Sequence, residues 1–348
     1  ATRSTRAHTD TVSALADWFR GEQRQHRIDS DTLANAFRAA TSVDQPSTGA
    51  TLSALTTAAM RGAGERVWLS GLATPQLLGV DTARLVSRLW RAGRHGSTRG
   101  LARAAARVWA ARRPFGRAAT LADYLGPSDA IAPAYLATRG VFGSHALARL
   151  MRADALAYAR GAFDLAAHVD QRALTPLGPP CVMPAASAQV AIERAVAAVE
   201  LAGPLMSGAL RDAEASAVTN GLALRAPFLD HRLHEWLTTG GAALDRSPLV
   251  GVLEGVLPPA LFKRLAAPPP PPIAHWLRHD LRTVAEDHLL SSDDEVFRRD
   301  AITDLWKAFL AGRAPWEPVW SVLNVRAWMT AARDHTRTEG TERGRRAA

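Results

Sequence analysis

Few residues in this chain combine a reactive type with a spacing that chemistry requires. The one cysteine, Cys181, lies in the Pro-rich stretch LGPPCVMP. A lone cysteine excludes an intrachain disulfide framework, and a zinc site would need other ligand types. With no His near it in sequence, it reads as a small buried side chain rather than a nucleophile. His275 and His279 are four apart in HWLRH, a spacing that places two imidazoles on one helical face. No Glu sits beside His275, so the metalloprotease pattern is missing and a solvated helix face is the plainer reading. His231 and His234, three apart, are read the same way, and no metal site is expected. From Arg84 to Arg117 there are ten arginines and no acidic residue. Arg84, Arg88 and Arg91 line one helix face and Arg99, Arg103 and Arg107 another, with Trp90 and Trp109 as core anchors on the opposite sides. Such a stripe can contact nucleic-acid phosphates, acidic lipid or an acidic partner.

The elements that must position these residues fall into two parts. Val12, Leu15, Ala16 and Phe19 share a helical face over 10–20. Gln25 to Ile28 reads as a short extended stretch, and Asp29 and Ser30 offer N-caps for a helix through Ala40. SVDQPSTGA (42–50) is a loop, TLSALTTAAMRG (51–62) a helix ended by Gly62, and RVWLSG (66–71) a buried strand entering a loop. This alternation is the pattern of helices wound around a parallel sheet. After Gly79 nearly everything to residue 332 reads helical, broken by Pro and Gly loops that include the five prolines at 268–272. Residues 333–348 carry no apolar side chains beyond Ala and are expected to be disordered. The division expected is therefore a partial α/β half over 1–80, a helical body over 81–332 and a tail.

The bulk numbers are compatible with this. The chain has 348 residues, 47% of them hydrophobic, enough for a real core. No apolar run is long enough to span a membrane, and the N-terminus has no apolar signal core, so a cytoplasmic protein is expected. The net charge of +9 comes almost wholly from arginine. Abundant Ala and Arg also follow from base-composition bias, and no nucleic-acid motif accompanies the charge, so nucleic acid is not an expected partner.

The segment LRDAEASAVTNGLALRAPFLDHRLHEWL (210–237) carries the most information. From Arg225 to Leu233 it resembles the "VRAPFLDHRL" signature of the asparagine synthetase family without a gap. Neighbouring pieces fall in family order. VDQPST (43–48) resembles the family's "LDEPxADPS" loop, and VWLSG (67–71) the strand before its "SGDGGDELFGG" loop. PIAHWLRHDLR (272–282) resembles "VPIGEWLRGPLR", and Trp306, Trp316, Trp320, Leu323 and Trp328 its C-terminal "LWxLLxLExW" ending. The resemblance covers roughly 10 to 332. It implies an ATP-pyrophosphatase-type α/β fold that activates a carboxylate with ATP and Mg²⁺ for amide formation. In the family the ammonia comes from a glutaminase domain.

Measured against that pattern, the chemistry is eroded. The chain begins after the family's glutaminase domain and its "SGGxDSS" phosphate loop. TTGGAALDRS (238–247) is a decoy, one residue too long before its Asp and placed after the signature. In the second loop Ser70 and Gly71 survive as the remnant of a nucleotide site, but the acidic positions are Leu72, Pro75 and Gln76. That removes the hard oxygen ligands Mg²⁺ prefers. The family's Glu before its signature is Ala223, which can neither accept nor donate a proton. The Lys of its "KxGFxxP" loop falls on Ala266, with Lys263 and Arg264 upstream of a stiff proline run. Arg225, Pro227, Phe228 and Asp230 are expected to be structural, with Arg225 and Asp230 pairing with each other or with backbone groups. The resemblance thus implies an ATP-dependent amide-forming domain that is impaired as it stands. The missing loop would come from a separate glutaminase- or loop-bearing chain, or the fold would be completed by homo-oligomerisation. The alternatives are a non-catalytic scaffold that binds a partner protein and, on charge alone, a basic nucleic-acid-binding protein.

Overall fold

The computed structural model describes the chain apart from residues 1–2, 42, 78–80, 95–99, 101–103, 105–107, 109–114, 117–118, 122–130, 175–184, 234, 236–246, 263–269, 292–294 and 348. Cys181, His234, Ala266, Lys263, Arg264, Gly79, Trp109 and the Arg99–Arg103–Arg107 face fall outside the described residues.

Helices α1 (Arg3–Trp18), α2 (Ser30–Thr41) and α3 (Ala50–Gly62) lead into strand β1 (Val67–Leu69). A short α4 (Thr74–Leu77) and α5 (Asp81–Arg94) follow. Next come α6 (Ile131–Arg139), α7 (Ser144–Leu150), α8 (Ala153–Ala162), α9 (Leu165–Leu174) and α10 (Ala185–Glu200). A π-helical segment (Leu201–Leu210) joins α10 to α11 (Arg211–Thr219). Strand β2 (Ala223–Arg225) and a 3₁₀ turn (Pro227–Leu229) carry the signature. The chain ends with α12 (Ser247–Val256), α13 (Pro259–Phe262), α14 (Ile273–Arg278), α15 (Arg282–Leu290), α16 (Arg299–Leu310) and α17 (Trp316–Ala347).

The expected helix starting at Asp29–Ser30 forms, and its cap is the Asp29 carboxylate, which accepts the Thr32 N–H at 2.8 Å. The two strands pair in parallel, with Val67 opposite Ala223 and Leu69 opposite Arg225. The fold is α/β in this limited sense: a mostly helical protein around a two-stranded parallel sheet. Between α11 and β2 the chain reverses through Gly221, whose φ of +68° favours a residue without Cβ. Among the described residues no helix is long and apolar enough to cross a membrane.

One core joins Leu33 and Phe37 of α2 to Leu277, Ile302, Phe309 and Trp320 of the C-terminal helices. A second joins Val86 and Trp90 of α5 to Ile131, Ile192 and Val196 within the helical body. Parallel pairing requires a long crossover, so β1 and β2 share one sheet although the body lies between them in sequence. α17 runs from Trp316 through Ala347. Strand β1 is not buried as expected: Val67 and Leu69 are 53% and 71% exposed.

Candidate functional site

In a parallel sheet, ligands are met beyond the carboxyl ends of the strands. Here those ends bring together the two segments singled out in the sequence. The Ser70 N–H donates to the Arg225 carbonyl at 2.8 Å, extending the ladder one residue past β1. Ser70 and Gly71 therefore lie beside the start of the signature turn. The loop then closes on itself: the Leu72 N–H donates to Ser70 Oγ at 3.3 Å, and Thr74 Oγ1 donates to the Gly71 carbonyl at 2.6 Å. Ala73 is buried with a φ of +73°, a left-handed conformation rare for a residue with a Cβ.

Ala73 packs with Leu205 of the π segment, and Leu72, Phe228, Leu229 and Leu233 close around them. Phe228 and Leu229 are half-buried, whereas Pro227 is exposed. Arg225 takes the backbone option, and Asp230 pairs with neither Arg225 nor backbone alone. Arg225 Nη1 donates to the Leu224 carbonyl at 3.0 Å. Asp230 is taken by a residue the sequence reading did not single out. Arg232 donates Nε to Oδ1 at 3.0 Å, Nη2 to Oδ2 at 2.6 Å and its own N–H to Oδ1 at 2.9 Å. The Arg232 side chain, then its N–H, holds the Asp230 carboxyl well below the usual carboxylate range. Ala223, half-buried in β2, presents only a methyl group.

The donor set does not fit Mg²⁺. Leu72 and Pro75 offer no side-chain oxygen, Gln76 no charge, and both oxygens of Asp230 are occupied by Arg232. No group of three His, Cys, Asp or Glu residues among those described could hold a metal. The His275 and His279 rings lie tilted to each other with centroids 4.5 Å apart, and His275 Nε2 lies 3.8 Å from Asp280 at the surface.

The 43–48 loop is held from both sides. Trp320 Nε1 donates to the Thr48 carbonyl at 2.9 Å and Trp328 Nε1 to the Val43 carbonyl at 2.8 Å. Opposite, Gln45 Nε2 donates to the Ser207 carbonyl at 2.9 Å, and Ser47 Oγ donates to Asp212. Asp212 is 3% exposed and also accepts from Arg211 Nη2 at 2.8 Å. A Cβ on Gly49 would stand 3.0 Å from Asp212 Oδ2, so a larger residue there would require that carboxylate to shift by a few tenths of an ångström. Asp212 and Arg211 were not foreseen, because a lone acid–base pair in a helix has no periodic signature.

A further buried carboxylate sits where α10 becomes the π segment. Glu200 is 2% exposed, and its Oε1 accepts from Tyr135 Oη at 2.7 Å and from Arg139 Nε at 2.9 Å. Burial, then the Glu200 charge, pushes the Tyr135 phenol well above its ordinary value. On α5, Arg84, Arg88 and Arg91 are exposed and Trp90 is buried in the body core, as the expected opposite faces require.

Comparison with curated proteins and with solved structures gives no match. The family model for asparagine synthase matches residues 4–330, nearly the whole chain. The matched span takes in β1, β2, their two loops and the Trp-pinned 43–48 loop, and the chain belongs to the asparagine synthase family.

Proposed function

We propose that this chain is an ATP-dependent amide-forming domain of the asparagine synthase type that is catalytically impaired on its own. The observation that carries this reading is the chemistry at the carboxyl ends of β1 and β2. Acyl activation by ATP needs carboxylates to hold Mg²⁺ and cations placed where phosphate charge develops. At these ends Asp230 is neutralised by Arg232, and the positions of the family's acids are Leu72, Pro75, Gln76 and Ala223. The packing around them is intact, which supports a scaffold retained while the reaction was lost. We read the two-stranded sheet as the remnant of an ATP-pyrophosphatase-type sheet and Ser70–Gly71 as the remnant of its nucleotide loop. The compartment consistent with this chemistry is the cytoplasm.

The test is ATP–pyrophosphate exchange with Mg²⁺ and candidate carboxylic acids. The native chain is expected to give none above a protein-free control, and Ala223→Glu is expected to leave it silent. Exchange by the native chain would refute the impairment. The second reading is a non-catalytic scaffold for a partner protein, favoured by the intact packing around the eroded positions. The two separate on complementation. If a chain bearing a glutaminase and an "SGGxDSS" loop restores exchange, the domain is half of an enzyme. If such a chain binds without restoring exchange, it is a scaffold.

A further inference from the structure

We propose that the outer face of α5 docks an acidic helical segment of another protein, with carboxylates at the spacing of Arg84, Arg88 and Arg91 and an apolar side chain for Leu85. The argument begins with helix geometry. At about 100° per residue, the three arginines fall within about 60° of one another around the axis. They form one row about two turns long, and all three are exposed. Leu85 borders that row and is 41% exposed. On the opposite side Ala83, Val86 and Trp90 are buried in the core shared with α6, α9 and α10. The packing behind the row therefore fixes its charge at the surface.

Among the described residues nothing neutralises that charge. Arg84 and Arg88 make no hydrogen bond or ion pair there. The carboxylates on the helices that share this core are already engaged. α6 carries none. Glu193 of α10 accepts from Gln189 Nε2 at 2.9 Å, and Glu200 is held by Tyr135 and Arg139. Asp170 of α9 accepts the Ala132 N–H at 2.9 Å and so caps the start of α6. Like charges four residues apart repel along a helix, so an opposite charge brought to the row relieves a repulsion as well as adding an attraction.

The same surroundings select the occupant. The apolar face of α5 lies in the core, so the helix has no such face to lay into a bilayer. Its one aromatic side chain, Trp90, is 5% exposed, so α5 offers no ring on which nucleic-acid bases could stack. What it does offer is a row of forked guanidiniums with an aliphatic side chain beside it. Acids at positions i, i+4 and i+7 of a second helix repeat that spacing, and each can accept a bidentate pair. Leu85 favours an apolar neighbour on the guest, which a phosphate backbone lacks. A second copy of this face would set arginine against arginine.

The full chain is titrated with a fluorophore-labelled, Ala-based helical peptide that carries Glu at i, i+4 and i+7 with Leu beside them, and anisotropy is read. The expected result is saturable binding at about 50 mM salt that is largely lost at about 500 mM. Arg84→Glu and Arg88→Glu should each weaken it about tenfold, and Leu85→Ala by a smaller factor. Arg61→Glu, on α3, should leave it unchanged. The Arg84→Glu, Arg88→Glu double variant should instead bind a peptide with Lys in place of Glu, a gain that misfolding cannot produce. Equal affinity for a peptide of the same composition with its Glu residues spread around the helix would overturn the matched row. Tighter binding of a mixed-sequence oligonucleotide, or of vesicles rich in phosphatidylserine, would overturn the choice of a protein partner. Absence of binding at millimolar peptide in low salt would overturn the docking site itself. None of these outcomes depends on whether the domain turns over ATP.

Discussion

Replacing Trp320 with Phe tests whether the 43–48 loop is held by the C-terminal helix or merely lies on it. The indole is 1% exposed and packs against Phe37 with ring centroids 5.7 Å apart. Its Nε1–H donates to the Thr48 carbonyl at 2.9 Å. Phenylalanine keeps most of the packing but leaves that carbonyl without its donor, which costs about 1–3 kcal/mol. The smaller ring leaves a void of roughly one fused-ring half, adding about 1 kcal/mol. The expected loss is therefore about 2–4 kcal/mol, read as a lower urea midpoint at unchanged slope. Trp328→Phe removes a similar bond, to Val43, from a half-exposed side chain, and is expected to cost about 1 kcal/mol. Asp212→Asn loosens the same loop from the other side, so a double substitution with Trp320→Phe should be non-additive by about 1 kcal/mol. A Trp320→Phe loss no larger than that of Trp328→Phe would refute the argument. Strict additivity would show that the two anchors act on separate structures.

Other predictions concern single atoms elsewhere. Ala73→Val places a β-branched residue at a φ of +73° in a buried site and should cost at least about 2 kcal/mol. Ala73→Gly should move stability by less than about 1 kcal/mol, since relieved strain is offset by a lost methyl contact and a freer unfolded chain. Denaturation midpoints check both. Glu200→Ala leaves the Tyr135 hydroxyl unpaired in the core and should cost about 3 kcal/mol, with Glu200→Gln costing roughly half as much because its amide oxygen still accepts. Burial holds His288 below the usual imidazole value, so the unfolded chain binds the proton more readily. The stability this contributes is present above about pH 6.5 and is lost as pH falls through the folded value. The melting temperature should therefore drop on acidification, and His288→Gln should flatten that slope.

The parts of the molecule that were legible in the sequence are those whose signal is local. The Asp29 cap, helices α2 and α3, and the contiguous run from Arg225 to Leu233 declare themselves by adjacent residue types. The pairing of Val67 with Ala223 does not, because nothing in either strand names a partner across the helical body. The bareness of β1 was equally hidden: an apolar triplet reads as buried until its neighbours are known. Arg232, rather than Arg225, holds Asp230 because a fork two residues along reaches both carboxylate oxygens, a matter of turn geometry.

The π-helical stretch at Leu201–Leu210 gives the rod from Ala185 to Thr219 a built-in change of phase. Each π turn holds more residues than an α turn, so side chains lag progressively behind the α-helical rhythm. Met206 accordingly points into water while Leu205 is buried, and Asp212 arrives on the side that meets Ser47. In a lineage that gains and loses residues, such a stretch works as an expansion joint. A one-residue deletion between 201 and 210 can be absorbed by tightening toward α geometry. The rotation passes on to Asp212, and through it to the loop it grips. Length variation in this short span would retune the site's rear wall.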